Sequence, residues 1–271
     1  MQIMNVAFYG SAVQKEWLPA PVAGLSFHKI EEKSKLPGTT DLLVTLGGDG
    51  TFLEALELVR DSNIPIAGIN FGRLGFLTGC RPDFIDRLFD AVREGNYITS
   101  RHTVLSIEAK GLEYQIYPFA LNEVCVQRLS SAMVEVDVKI NGQPLSTYRG
   151  DGIIVATPTG STAYSLSVGG PIVFPNSGVL ILSPIAPHNL NVRPIVLPDC
   201  DELQICVKSR GQKARLHLDN RSVVIDPEYT FVVKKAPFTV TSLTFLGNDF
   251  ISALREKLMW GFDKRNRGEQ V

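Results

Sequence analysis

No two of the four cysteines form a C-x-x-C pair: Cys80, Cys125, Cys200 and Cys206 are scattered and have no His pattern beside them. That argues against a structural zinc site and a disulfide framework, and it suits a reducing cytoplasm. No apolar run approaches the roughly 18–20 residues that a membrane span needs. Met1-Gln2-Ile3-Met4-Asn5-Val6 lacks the basic start and cleavage site of a signal peptide. Excess charge of either sign is missing too. The 27 Lys and Arg against 28 Asp and Glu leave a net charge of −1. Bulk attraction to nucleic acid or to an anionic membrane is therefore not expected, and an anionic substrate must be met by local amides and a few placed cations. No internal repeat or low-complexity tract stands out. What remains is a globular composition, 44% hydrophobic over 271 residues, enough for one large domain or two ordinary ones.

Hydrophobic patterning divides the chain. Ile3 to Phe8, Asp41 to Leu46 and Ile64 to Asn70 read as buried strands of the parallel type. Phe52, Leu53, Leu56 and Val59 recur at helical spacing, predicting a helix from Thr51 to about Asp61. Phe84, Ile85, Leu88, Phe89 and Val92 predict another from Pro82 to about Arg93. Strands alternating with helices imply a Rossmann-like parallel sheet with flanking helices. After Gly95 short alternating strands take over: Thr103 to Ala109, Val134 to Ile140, Ile153 to Ala156, Leu203 to Val207, Arg215 to Leu218, Val223 to Ile225 and Phe231 to Lys234. Asn141-Gly142 is a strong hairpin signal. This block predicts an all-β, sandwich-like domain. A last helix, from about Asp249 to Phe262, is expected to return to the first domain. The expected division is 1–97 plus 246–271 for the α/β domain and 98–245 for the β-rich one.

Four stretches carry chemistry. In Gly47-Gly48-Asp49-Gly50-Thr51 a buried strand runs into three glycines and a carboxylate before a helix. Helix-start amides suit phosphate oxygens, and in parallel sheets ligands sit outside the carboxyl ends of the strands. Gly72-Arg73-Leu74-Gly75-Phe76-Leu77 offers a cation and an aromatic in a glycine-hinged loop at the same edge. Asn122-Glu123 follows the apolar Phe119-Ala120-Leu121 and reads as a strand end carrying an amide and a carboxylate. Arg149-Gly150-Asp151-Gly152 precedes a strand that ends in Thr157-Pro158-Thr159-Gly160-Ser161-Thr162-Ala163-Tyr164-Ser165-Leu166-Ser167. The dense hydroxyls there leave amides and hydroxyls to line a polar pocket, or else cap a short helix at Ser161 or Thr162. His188, in a Pro-rich loop, reads as structural, and Lys234-Lys235 as a solvated strand end.

Together and in this order, these stretches resemble the NAD kinase family over nearly the whole chain. Gly-Gly-Asp-Gly by itself is shared with diacylglycerol and sphingosine kinases; the Thr157–Tyr164 run is far more specific. The resemblance implies the two-domain NAD kinase-like fold and transfer of the ATP γ-phosphate to the adenosine 2′-hydroxyl of NAD, usually with Mg²⁺. Some members accept polyphosphate, and most bacterial members are homodimers or homotetramers. Carried over residue by residue, it makes Asp49 the general base or orienting group, with Gly47, Gly48, Gly50 and Thr51 at the phosphates. Phe76 falls against the adenine-ribose part, Arg73 among the NAD-binding residues, and Asn122 and Glu123 at the adenosine ribose and phosphate. Asp151 and Ala163 fall at the nicotinamide end, and Thr159, Ser161, Thr162, Tyr164 and Ser167 around the nucleotide. Arg149 corresponds to a residue that can reach a neighbouring subunit's ligand, Ala186 to the nicotinamide-ribose pocket. Asn220 replaces the small or imidazole side chain common at its position. A lipid kinase of the same fold group and a non-catalytic NAD(H)-binding sensor remain the alternatives.

Overall fold

The structure, a computed structural model, describes residues 3–10, 19–20, 22–30, 35–72, 75–112, 116–208, 212–245 and 250–259. The chain divides into two compact units, 1–55 with 64–99 and 242–271, and 56–63 with 100–241.

The first unit is built on parallel strands. In spatial order they are Ser26–Lys29, Asn5–Tyr9, Leu42–Leu46 and Ile66–Ile69. Ser242, near the end of the long strand Tyr229–Thr244, pairs with Ile66. All five residues of Leu42–Leu46 and all four of Ile66–Ile69 are buried. This explains why these strands read as continuous apolar runs rather than alternating ones. The helix Ile85–Glu94 buries Ile85, Leu88, Phe89 and Val92 on one face, and Leu88 and Phe89 join Phe8, Val44 and Ile69 in a single core. It ends on Gly95 at φ 69°, which donates to the carbonyls of Ala91 and Val92, a left-handed stop that suits glycine. Pro82–Phe84 forms a separate 3₁₀ turn ahead of it. The helix after the glycine turn runs Asp49–Val59, beginning two residues earlier than its apolar period suggests, so Asp49 lies in its first turn.

The second unit is antiparallel. One sheet places Tyr229–Thr244, Leu203–Lys208, Val134–Ile140 and Gln143–Gly150 side by side, with Ile98–Glu108 also pairing Tyr229–Thr244. The other orders Ile195–Pro198, Val179–Ile185, Gly152–Ala156, Glu123–Arg128, Ala214–Leu218 and Arg221–Ile225. Side chains of both sheets, among them Val136, Leu203, Phe231, Val126, Val155 and Leu216, form one core, as a sandwich requires. Asn141 and Gly142 both have positive φ, 49° and 78°, in the two-residue hairpin where the strand twist calls for it. Phe231 to Lys234 proves to be part of a strand that continues to Thr244. The sequence pattern breaks at Pro237, but that residue is exposed, where a missing N–H is tolerated. Lys234 and Lys235 are therefore mid-strand, paired with Glu108 at 2.7 Å and Asp199 at 2.6 Å.

Candidate active site

In the first unit the site is organised by Asp49. Its Oδ1 accepts the N–H of Thr78 at 3.0 Å, that of Leu77 at 3.2 Å and the Thr78 hydroxyl at 2.7 Å; its Oδ2 accepts the N–H of Phe76 at 2.9 Å. The Thr78 hydroxyl also accepts from Asn70 Nδ2 at 3.2 Å. The 75–78 turn closes on itself through Gly75 N–H to the Thr78 carbonyl. Gly75 is a necessity here: a Cβ would overlap both Asp49 Oδ1 and the Thr78 hydroxyl. Gly48 and Gly50 are different. Among the described residues, a Cβ on Gly50 would meet nothing within 4 Å, and one on Gly48 would meet Asn70 Nδ2 at 3.8 Å. Packing among those residues does not require these two glycines, whereas close approach by a ligand would. At Gly47 a Cβ would overlap the Thr51 hydroxyl, so Thr51 folds back onto the turn. Phe76 is half-buried. Arg73 lies outside the described residues.

In the second unit the centre is Asp219, a residue with φ 54° in the turn between Ala214–Leu218 and Arg221–Ile225. Its carboxylate accepts the N–H groups of Leu121 at 2.7 Å, Asn122 at 2.7 Å and Glu123 at 3.1 Å. The Asn122–Glu123 pair is thus a clamped break between Phe119–Ala120 and Glu123–Arg128, not a strand end, because the chain resumes pairing at Glu123 with Ala156. Thr157 locks the same place from the other side. Its hydroxyl donates to the Leu121 carbonyl at 2.6 Å and accepts from Gly160 N–H, while its own N–H reaches the Asn122 carbonyl. Gly160 lies so close to the Asn122 carbonyl that a Cβ would overlap it.

The hydroxyl-rich run divides by role. Thr159–Thr162 is a 3₁₀ turn and Tyr164–Ser167 a single helical turn; neither has a side-chain cap at its start. Ser161 is buried, exchanging hydrogen bonds with the backbone of Val173. Thr159 meets Nδ1 of the buried His102 at 3.0 Å, and burial pushes that imidazole down to about 4. Thr162, Ala163 and Tyr164 are half-buried and Ser167 exposed. Gln127 donates to the Tyr164 hydroxyl at 3.3 Å. Asp151 pairs with Arg128 at 2.6 Å, and Arg149 is turned to Glu135 at 2.8 Å. Ala186 is exposed at φ 41° and Asn220 is exposed beside Asp219. The structure therefore brings Asn122, Glu123 and Tyr164 into one cluster with Asp219, while Arg149 engages the other sheet. Cys80 and Cys125 are buried, with burial the first cause raising both thiols to about 12, so neither is a nucleophile.

Glu123 Oε2 is buried and has no hydrogen-bond partner among the described residues. Burial, and secondarily the charge of Asp219, raise this carboxyl to about 8, against a smaller opposing hydrogen bond from the Tyr164 N–H. The consequence for stability has a definite sign. Between the unfolded value of about 4.5 and the folded value of about 8 the native state holds a proton that the unfolded chain has released. Stability from this group is complete below that window and is lost as pH rises through it. Glu123→Gln mimics the protonated acid, so wild type should lose stability relative to the variant from about pH 5 to about pH 8. Denaturant unfolding of both ligand-free proteins across that range checks it, and a pH-independent difference would show that Glu123 is already ionised.

Asp219, Thr78 and Lys257, whose Nζ lies 3.5 Å from Asp49 Oδ2, are members of these clusters that patterning alone does not single out. Thr78 directly follows the Gly72–Leu77 stretch but has no distinguishing spacing of its own, and the period of the helix Phe250–Leu258 marks only its apolar positions.

Comparison with known proteins finds relatives over most of the chain. The ATP-NAD kinase N-terminal domain model matches residues 25–97 and the ATP-NAD kinase C-terminal domain model residues 121–243. An NAD kinase of Flavobacterium psychrophilum is 41% identical over 244 residues, which are 89% of this chain and 83% of that protein. One of Bacteroides fragilis is 41% identical over 226 residues, 83% of this chain and 78% of that one. The crystal structure of an Archaeoglobus fulgidus NAD kinase in complex with ATP superposes with a TM-score of 0.72 at 27% identity, covering 95% of this chain and 98% of that one. Yeast NADH kinase complexed with NADH gives 0.84 at 24% identity over 99% and 91% of the two chains, a likeness of fold. With both domain models matched in order, and relatives at this identity over most of both chains, the protein belongs to the NAD kinase family and is an ATP-dependent kinase acting on NAD.

Proposed function

We propose that the Gly47–Thr51 turn receives the ATP phosphates and that Asp49 orients the adenosine 2′-hydroxyl of NAD and takes its proton as the γ-phosphoryl group is transferred. The observation that carries this is the fixed carboxylate of Asp49 beside two glycines whose space no described residue fills. Phosphoryl transfer depends mostly on positioning and charge stabilisation. A carboxylate held by three amides and a hydroxyl loses little orientation when the substrate arrives. Oδ1 already accepts three hydrogen bonds, so Oδ2, which has the Phe76 amide at 2.9 Å and the Lys257 ammonium at the longer distance of 3.5 Å, is the oxygen with room to meet the hydroxyl. Asn122, Glu123, Asp151 and the run Thr159–Tyr164 hold NAD, with Ser167, Ala186 and Asn220 at the rim. Among the described residues no group of three His, Cys, Asp or Glu side chains is placed to bind a metal. A divalent ion would come with the nucleotide, ligated mainly by phosphate and water oxygens. It would neutralise developing charge on the phosphates. No helix among the described residues is long and apolar enough to cross a membrane. Free cysteines suit the cytoplasm, and a homodimer or homotetramer is the assembly we propose.

The test uses purified protein with ATP, Mg²⁺ and either NAD or NAD lacking the adenosine 2′-hydroxyl. NAD should be converted to NADP, and the deoxy analogue should bind without consuming ATP. ATP-dependent phosphorylation of the analogue would place the reaction at another hydroxyl. NADH in place of NAD, and polyphosphate in place of ATP, define the acceptor and donor range in the same assay.

A further inference from the structure

The helix Phe250–Leu258 brings a cation to Asp49. Phe250 and Lys257 are seven residues apart, two turns, and so share one face. Phe76 packs against both: its ring centroid lies 6.0 Å from that of Phe250 and 4.3 Å from Lys257 Nζ. The same ammonium lies 3.5 Å from Asp49 Oδ2, and both side chains are about three-quarters shielded, at 26% and 29% exposure. The other groups holding Asp49 are neutral amides and a hydroxyl. They fix the carboxylate without cancelling its charge. A bare carboxylate in a turn that takes a triphosphate would repel it. Among the described residues, Lys257 is the cation within ion-pair distance of Asp49. The aromatic face beneath the ammonium favours keeping it there.

We propose that Lys257 is a positioning residue of the kinase site, acting through Asp49: it neutralises the carboxylate toward the incoming triphosphate and, with Phe76, holds Oδ2 in line. The proposal rests on the assignment of the Gly47–Thr51 turn to the ATP phosphates. No step requires Lys257 to touch the nucleotide, and the experiment turns on that point.

ATP affinity is measured by calorimetry, with Mg²⁺, for the full-length wild type, Lys257→Met, Asp49→Asn and the double variant. Lys257→Met should weaken ATP about tenfold in the wild-type background, with Tm nearly unchanged, since methionine keeps most of the aliphatic stem and a solvent-reached ion pair adds little to stability. Lys257→Arg should restore most of that affinity. In the Asp49→Asn background the same change should cost less than about twofold, because the charge to be cancelled is gone. Asp49→Asn alone should tighten ATP. An equal loss in both backgrounds would overturn the proposal by showing that Lys257 contacts the phosphates directly. So would unchanged affinity of Lys257→Met beside a tightened Asp49→Asn. An Asp49→Asn protein that binds ATP as wild type does removes the turn itself from the phosphate site, a failure of the underlying assignment that is distinguishable from the other two.

Discussion

Asp49→Asn should reduce NADP formation by about 10²–10⁴-fold, the usual contribution of a positioned proton acceptor. The substitution is nearly isosteric, so the fall should appear in kcat with little change in the KM for NAD. Folding should survive it. Of the four donors around the carboxylate, those of Leu77, Thr78 and the Thr78 hydroxyl converge on Oδ1, and a carboxamide oxygen placed there keeps them. The Phe76 N–H loses its acceptor on Oδ2, which becomes an NH₂ group. The stability cost is then about 1–2 kcal/mol, that of one amide hydrogen bond at a part-buried site. Steady-state rates with saturating ATP, beside a thermal melt, separate the two effects. A variant that turns over near the wild-type rate would leave Asp49 with only the structural task of holding the 75–78 turn.

That structural task was the part the sequence could not show. Gly47–Thr51 stands out as a glycine-rich turn between a buried strand and a helix, and local pattern is enough to place it at the ligand edge of a parallel sheet. Its partner turn is 27 to 29 residues further on, and nothing in residue spacing says that a carboxylate will be gripped by Phe76, Leu77 and Thr78. Strand reading shows the same limit. Val134–Ile140 alternates buried with half-buried residues as far as Val138 and is legible. Val179–Ile185 lies buried almost throughout, so it shows no alternation, and its apolar start is cut short by Ser183-Pro184. The Thr157–Tyr164 run was visible as a unit, but the inward turn of Ser161 and the outward turn of Ser167 depend on the backbone turns there, not on residue type.

Asp219→Ala is the substitution expected to damage the second unit most. The side chain is fully buried and accepts three consecutive amides, those of Leu121, Asn122 and Glu123. Alanine leaves all three without an acceptor where water cannot easily replace it, and each buried unmet donor costs about 1–3 kcal/mol. Partial relaxation brings the expected loss to about 3–5 kcal/mol, the range found when one partner of a buried charged cluster is removed. Arg221 limits the damage: its guanidinium also bonds the carbonyls of Tyr117 and Phe119 and the carboxylate of Glu57. Asp219→Asn should cost less, since one oxygen still serves Asn122 and Glu123. In both variants the KM for NAD should rise more than that for ATP, because the Asn122–Glu123 break is what Asp219 fixes. A pH signature separates this from general loosening. Burial is the main cause of the raised Glu123 carboxyl and the Asp219 charge the second. Removing that charge lets Glu123 release its proton at lower pH, so the loss of stability between about pH 4.5 and 8 should move to the acid side. Because burial raises the Asp219 carboxyl as well, unfolding curves of wild type and Asp219→Asn are each compared with the same protein carrying Glu123→Gln, which isolates the Glu123 contribution to the shift. An unmoved profile would mean that Asp219 does not influence Glu123 through its charge.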